Sequence, residues 1–280
     1  MSKLVLHPQT DKQLQAFSGN PSHALLLVGP SGSGKFSVAK AIAETTLQVP
    51  TITDYPYSLH IIPENDSIGI EAIRQIEQFL SLKVPGKQPY KRVIIIEEAE
   101  RLSVEAQNAL LKNLEEPPAD TMLILTATHG SGLLPTIRSR AQTITISQPG
   151  SAALSGQFPG VDPKTYDRAY AMSGGRPGLL TSLLADSEHP LNQAADYARQ
   201  ILGKSIYERL LLVDELSKKP ELSANIALIL QQMAHFSLQG AEGSAFSRWQ
   251  NILTVSYQAS EALAGSVQPK LALTNLMLHL

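Results

Sequence analysis

The chain has 280 residues, 43% of them apolar and 17% charged, with a formal net charge of −2. It is long enough for two or three domains and a sizeable core, in an ordinary globular composition. A near-neutral balance, with a pI near 6.4, excludes a global positive field that would draw the whole molecule onto DNA or an anionic membrane, so any nucleic-acid contact has to be local or come through partners.

There are no cysteines. Disulfides and thiolate metal sites are therefore excluded, zinc among them, and the composition fits the reducing cytoplasm, which is the expected location. The start, "MSKLVLHPQTDKQLQ", has no long apolar run after its basic residue and does not read as a secretory signal. No stretch reaches the roughly 18 apolar residues of a membrane span, and no membrane partner is expected.

Strand and helix patterns alternate in the first half. "ALLLV" (24–28), "LHII" (59–62), "VIII" (93–96), "MLILTA" (122–127) and "TITI" (143–146) read as strands apolar on both faces, as in a parallel sheet covered by helices. Between them lie a helix after Lys35, a helix over "IEAIRQIEQFLSL" with Ile70, Ile73, Ile76 and Leu80 on one face, and a helix over "SVEAQNALLKNLEE". Ser103 is the expected N-cap of the last, which closes before Pro117-Pro118. The expected fold class is α/β, a doubly wound parallel sheet.

After Ser147 the character changes. "QPGSAALSGQFPGVDP" is rich in Pro and Gly and reads as an irregular segment. "PKTYDRAYAMSGGRPGLLTSLLAD" reads as two short helices joined at Gly174-Gly175, and long helical patterns follow from Pro190, interrupted near Lys219-Pro220 and at "QGAEGS" (239–244). The expected division is a P-loop domain over 1–147, a small helical segment over 148–189 and an all-helical domain over 190–280. The short basic run "GKQPYKR" (86–92) reads as a solvated loop before a strand, whose contacts with DNA, if made, are few and with phosphates.

The stretch Gly29, Pro30, Ser31, Gly32, Ser33, Gly34, Lys35 has the spacing G-x-x-x-x-G-K between a strand and a helix. Glycines let the backbone curl so that successive N–H groups face phosphate oxygens, the helix N-terminus adds its dipole, and Lys35 would bridge the outer phosphates. The next position normally carries a hydroxyl that ligates Mg²⁺, but here it is Phe36. Ser37 follows, turned roughly 100° round the helix, and is a poor substitute. Phosphate cradling should survive, with ATP as the expected nucleotide, while Mg²⁺ is expected to be held poorly. Glu97 and Glu98 end the apolar strand of "RVIIIEEAERL", where ligands of open α/β sheets sit. Glu97 stands where a P-loop protein holds metal, with Glu98 as a second carboxylate that orients water.

Four further stretches make the pattern specific: "NALLKNLEEPP" (108–118), "LILTATHGSGLLPTIRSRAQ" (123–142), "SGGRPGLL" (173–180) and the all-helical end. In this order they resemble the ATPase-type subunits of bacterial clamp loaders in the AAA+ superfamily, most closely the delta-prime family of DNA polymerase III. The resemblance is strong over about residues 20–185 and compositional beyond. It implies a helical lid and an oligomerising helical collar for the two later segments. It implies other clamp-loader subunits of a hetero-pentamer as partners, together with the sliding clamp and, mainly through the complex, primed DNA. It implies that Arg140, in "SRA" where the family has Ser-Arg-Cys, is an arginine finger offered in trans to a neighbour's ATP, with Arg138 a second candidate. Thr128 aligns with the first sensor and Arg176 with the second-sensor region. The family's four-cysteine zinc module is missing from the interval "TLQVPTITDYPYSLHII".

Three readings follow. The first is a delta-prime-like subunit that hydrolyses ATP poorly itself. The second is a motor subunit, or another AAA+ ATPase, with its own turnover, favoured by Lys35, Glu97 and Glu98 and opposed by Phe36. The third is an unrelated P-loop binding protein, for which no substrate lid or basic recognition helix speaks.

Overall fold

The computed structural model describes residues 4–186, 188–238, 240–265 and 267–280. The chain divides into two compact units, 1–150 and 151–280.

The first unit is the expected parallel α/β sheet. Its strands are β1 (Ala24–Val28), β2 (Ser58–Ile61), β3 (Arg92–Ile96), β4 (Thr121–Ala127) and β5 (Gln142–Thr145), in the order β2-β3-β4-β1-β5. Every pairing is parallel. Its helices are α1 (Pro8–Gly19), α2 (Lys35–Leu47), α3 (Ile70–Ser81), α4 (Val104–Glu115) and α5 (Pro135–Arg140).

Alternation along the strands builds two cores. Leu26, Ile94, Ile96, Leu123 and Leu125 point to one face and pack against Ile73 and Ile76 of α3, Leu110 and Leu114 of α4, and Ile137 of α5. Leu25, Leu27, Val93, Ile95, Met122 and Ile124 point to the other, against Leu14 and Phe17 of α1 and Val38, Ala39 and Ile42 of α2. Only the three inner strands are apolar on both faces. At the edges, His60 on β2 and Thr143 and Thr145 on β5 are exposed, which corrects the expectation for "LHII" and "TITI". An edge strand carries one covered face, and its other face takes polar side chains.

The helix α1 was not foreseen. Pro8 opens it, and Thr10 ties it to the sheet, donating to Thr145 O at 3.1 Å and accepting from Ser147 N at 3.0 Å. Arg92 also departs from the solvated-loop reading of "GKQPYKR". It is 5% exposed and starts β3. Its guanidinium donates to Phe79 O and Leu80 O at 3.2 and 2.8 Å, closing the C-terminus of α3, and pairs with Asp120 at 3.1 Å.

Ser103 caps α4 as expected, its Oγ accepting from Ala106 N at 3.1 Å. Ser103→Ala should lower unfolding free energy by about 1 kcal/mol in a urea titration. A change within experimental error would mean that water replaces the cap.

The second unit is all helical: α6 (Ser151–Ser155), α7 (Pro163–Ser173), α8 (Pro177–Ala185), α9 (Pro190–Gly203), α10 (Ile206–Leu211), α11 (Val213–Leu216), α12 (Pro220–Leu238), α13 (Gly243–Ala264) and α14 (Pro269–His279). The pattern from Pro190 breaks at more places than expected: before Ile206, at Leu212 between α10 and α11, and between α13 and α14. The Ser205–Glu208 capping box, in which each side chain accepts from the other's backbone N–H, starts a new helix at Ile206. The expected interruption at 239–244 lies between α12 and α13, with Gln239 outside the described residues. The segments 151–189 and 190–280 fall in this one unit, and α12 packs on both α7 and α9.

Candidate functional site

In a parallel sheet all strands end at one edge. The loop after β1, the acidic turn after β3 and Thr128 after β4 therefore converge there. The loop bends where its glycines allow. Gly34 has φ 86°, in the left-handed region, and opens α2. Gly29 is buried, and a Cβ there would lie 3.1 Å from Ile146 O and 3.0 Å from Ser33 Oγ. Its N–H donates to Ala127 O at 3.0 Å, anchoring the loop to β4.

Lys35 turns back over this loop. Its Nζ donates to Gly29 O at 2.6 Å and Pro30 O at 3.0 Å. Burial lowers its pKa from the ordinary lysine value, against the opposing pull of Glu100 first, then Glu98 and Glu97. A partly desolvated ammonium at the N-terminus of α2, beside a glycine-rich loop, is a favourable place for an anion. The Ser33 hydroxyl is buried without a hydrogen-bond partner. These residues fit nucleotide phosphates: the glycine curve, the ammonium and the orphan hydroxyl all lie in one loop. Ser37 is exposed.

The metal side differs. The Phe36 ring stacks on the His60 ring, with centroids 4.6 Å apart and planes at 13°. His60 Nε2 lies 2.7 Å from Glu97 Oε1. Glu98 has φ 47°, an uncommon left-handed conformation for a residue with a side chain, and its carboxylate pairs with Arg101. Arg101 also holds Asp66 at 2.5 Å. These residues do not fit a P-loop Mg²⁺. The hydroxyl is replaced by a ring, and both candidate carboxylates already have cationic or imidazole partners. Among the described residues no three His, Asp or Glu side chains gather as a metal cage.

Glu100, which the sequence reading passed over, is central. Its Oε1 accepts from Thr128 N at 2.7 Å, and its Oε2 is buried without a partner. It has the largest electrostatic effect on Lys35. The signal was present in "EEAER": Ala99–Arg101 form a 3-10 turn, in which residues three apart lie on one side. Thr128 is thereby held through its backbone. Gln107, also passed over, is 5% exposed. Its Nε2 donates to Leu102 O and Gly132 O, each at 3.1 Å, and its Oε1 accepts from Leu134 N at 2.8 Å.

Arg140 ends α5, just before β5 begins at Gln142. Gln142 pairs with Leu25, four residues before Gly29. At about 3.3 Å per residue, the base of Arg140 lies on the order of 13 Å below its own phosphate loop, at the opposite edge of the sheet. Its guanidinium binds Glu115 Oε1 at 2.6 Å and Thr136 O at 3.0 Å. Arg138, the second candidate, is in the last turn of the same helix. Arg176 belongs to the second unit, where it precedes α8 and donates from Nε to Ser173 O at 2.6 Å; burial lowers its pKa from the ordinary arginine value.

A parallel sheet with a glycine-rich loop between β1 and α2, and an acidic turn after β3, defines an α/β protein of the P-loop type. Residues 7–150 match the family described as DNA polymerase III, delta subunit, and the chain belongs to that family. It is 32% identical over 180 residues to DNA polymerase III subunit delta' of Pseudomonas aeruginosa, covering 56% of this chain and 54% of that protein. It is 30% identical over 198 residues to DNA polymerase III subunit delta' of Haemophilus influenzae, covering 64% and 59%. The chain thus spans little more than half the length of these relatives. A DNA polymerase III gamma subunit-related protein of Thermotoga maritima superposes with a TM-score of 0.47 at 22% identity, over 96% of this chain and 97% of that one.

Proposed function

We propose that the chain is a clamp-loader subunit of the delta-prime type. It works in a hetero-pentameric ring that uses ATP to place a sliding clamp on primed DNA in the cytoplasm, and it lends Arg140 to a neighbour. The observation that carries this reading is the place of Arg140. It stands at the far edge of the sheet from its own phosphate loop, on the order of 13 Å away along the strands, which supports a role toward a neighbour's nucleotide and not its own. Its partner Glu115 holds the guanidinium until a triphosphate competes for it.

The subunit's own site binds nucleotide phosphates through the loop N–H groups and Lys35 and hydrolyses ATP poorly. Hydrolysis needs a metal that neutralises charge between the outer phosphates, and Phe36 offers no oxygen for one. The segment 148–189, nearly all of it in the second unit, serves as a lid, and 190–280 as a collar. Exposed Ile206, Tyr207 and Leu211 on α10, with Leu271 on α14, support a role in assembly, because monomers seldom leave such side chains grouped in water.

Co-purification with the other clamp-loader subunits tests the reading. A stable complex whose ATP turnover exceeds the sum of its parts is the expected result. Failure to join any such complex, with or without ATP, rejects it. Within the chain itself, Lys35→Ala should weaken nucleotide binding by at least about tenfold in a fluorescence titration, since a charged phosphate contact typically contributes more than 1.4 kcal/mol. An unchanged affinity would move the nucleotide elsewhere.

A further inference from the structure

We infer that His60 takes the place of a divalent cation in this site, so that Phe36 and His60 together, and not Phe36 alone, close it to metal. The inference rests on the nucleotide-site reading and names the residue that sets its metal dependence.

Three elements bring the group together. Phe36 is in the first turn of α2, His60 on the edge strand β2, and Glu97 directly after β3. His60 pairs with Ile95 in the β2–β3 register, and Glu97 N donates to Ile61 O at 2.9 Å, which extends the ladder by one rung. Residues 95 and 97 share a face. His60 and Glu97 are thus diagonal neighbours on one side of the sheet, the side that α2 covers. The 2.7 Å contact occupies the Glu97 oxygen that would otherwise turn toward a metal. Stacking at 4.6 Å with near-parallel rings fixes the imidazole plane, and with it the direction of that contact.

The consequence is specific. Restoring a hydroxyl by Phe36→Thr supplies one metal ligand but leaves Glu97 on His60. An octahedral Mg²⁺ that keeps several waters still needs a protein carboxylate. Removing His60 as well frees that carboxylate.

The test uses the full chain in four forms: unaltered, Phe36→Thr, His60→Ala and the double variant. Affinity for ATP is measured in MgCl2 and in EDTA. Separately, Mn²⁺ is titrated while the backbone amide signals of Glu97 and Glu98 are followed by NMR. The unaltered chain and Phe36→Thr should bind ATP within about twofold in the two buffers, whereas the double variant should bind at least about tenfold more tightly with Mg²⁺. Mn²⁺ should broaden the Glu97 amide in the double variant and leave it sharp in the unaltered chain. Broadening in the unaltered chain overturns the inference. So does a Phe36→Thr variant as metal-responsive as the double one, or a double variant that responds to neither metal. If the unaltered chain binds no ATP in either buffer, the nucleotide reading fails, while the Mn²⁺ titration still decides the role of His60.

Discussion

Arg140→Ala should assemble normally and cut hydrolysis at the neighbouring site by about 10³-fold, the lower end of what arginine fingers contribute. That is a barrier increase of roughly 4 kcal/mol. The steady-state rate of the whole complex then falls to whatever its other sites sustain, so single-turnover measurement at substoichiometric ATP gives the cleaner readout. The isolated chain should hardly notice the change. The Arg140–Glu115 pair is 34% and 50% exposed on its two sides, and pairs this open contribute at most about 1 kcal/mol. Arg140→Lys keeps the charge but loses the planar fork that spans two phosphate oxygens, and should rescue only a small part of the rate. Glu115→Gln works in the other direction. It releases the guanidinium from its intramolecular partner and should raise the affinity of the chain for an ATP-loaded neighbour. If Arg140→Ala leaves complex turnover unchanged, the finger is another residue, and Arg138 in the same turn becomes the one to test.

The inner sheet was legible because buried parallel strands are simply apolar runs, and Leu25–Val28, Val93–Ile96 and Met122–Ala127 are such runs. The turn between β1 and α2 was legible because its glycines and lysine follow each other in fixed order between a strand and a helix. What could not be read is what depends on strand order. Nothing in the spacing of His60 and Glu97, 37 residues apart, says that they meet. That follows only once β2 lies beside β3. Likewise, 25 residues separate Glu115 from Arg140, and a whole strand runs between them. The edge strands misled for a related reason. "LHII" has nearly the apolar count of a buried strand, but its position at the margin leaves one face to water; "TITI" alternates, which is the pattern of a strand with a single covered face. Arg92 misled because a cation among Lys, Gln and Pro looks solvated until three acceptors close round it.

Gln107→Ala should cost about 2–4 kcal/mol in urea unfolding and also slow the assembled complex, although the residue touches neither phosphate nor neighbour. The glutamine amide joins three pieces of backbone: Leu102 after the acidic turn, Gly132 after β4, and Leu134, which leads into α5. Alanine leaves two carbonyls and one N–H in a nearly dry place, each worth about 1 kcal/mol net if water reaches it and more if water does not. Gln107→Glu is the sharper variant, because it keeps the acceptor for Leu134 and turns a carboxylate toward two carbonyl oxygens. It should be worse than alanine at neutral pH. The functional effect follows from what hangs on Leu134. It is the N-cap residue of α5, and α5 ends in Arg140. Loosening its entry lets the short helix turn, and a misplacement of about 1 Å in a transition-state contact can cost 10²-fold in rate. Amide exchange separates the two effects: Leu134 N–H should lose protection while the β3 amides keep theirs. Reduced stability with unchanged turnover would show that α5 is held by Ile137 in the core alone, and that the amide bridge between the acidic turn and the finger helix carries packing and nothing more.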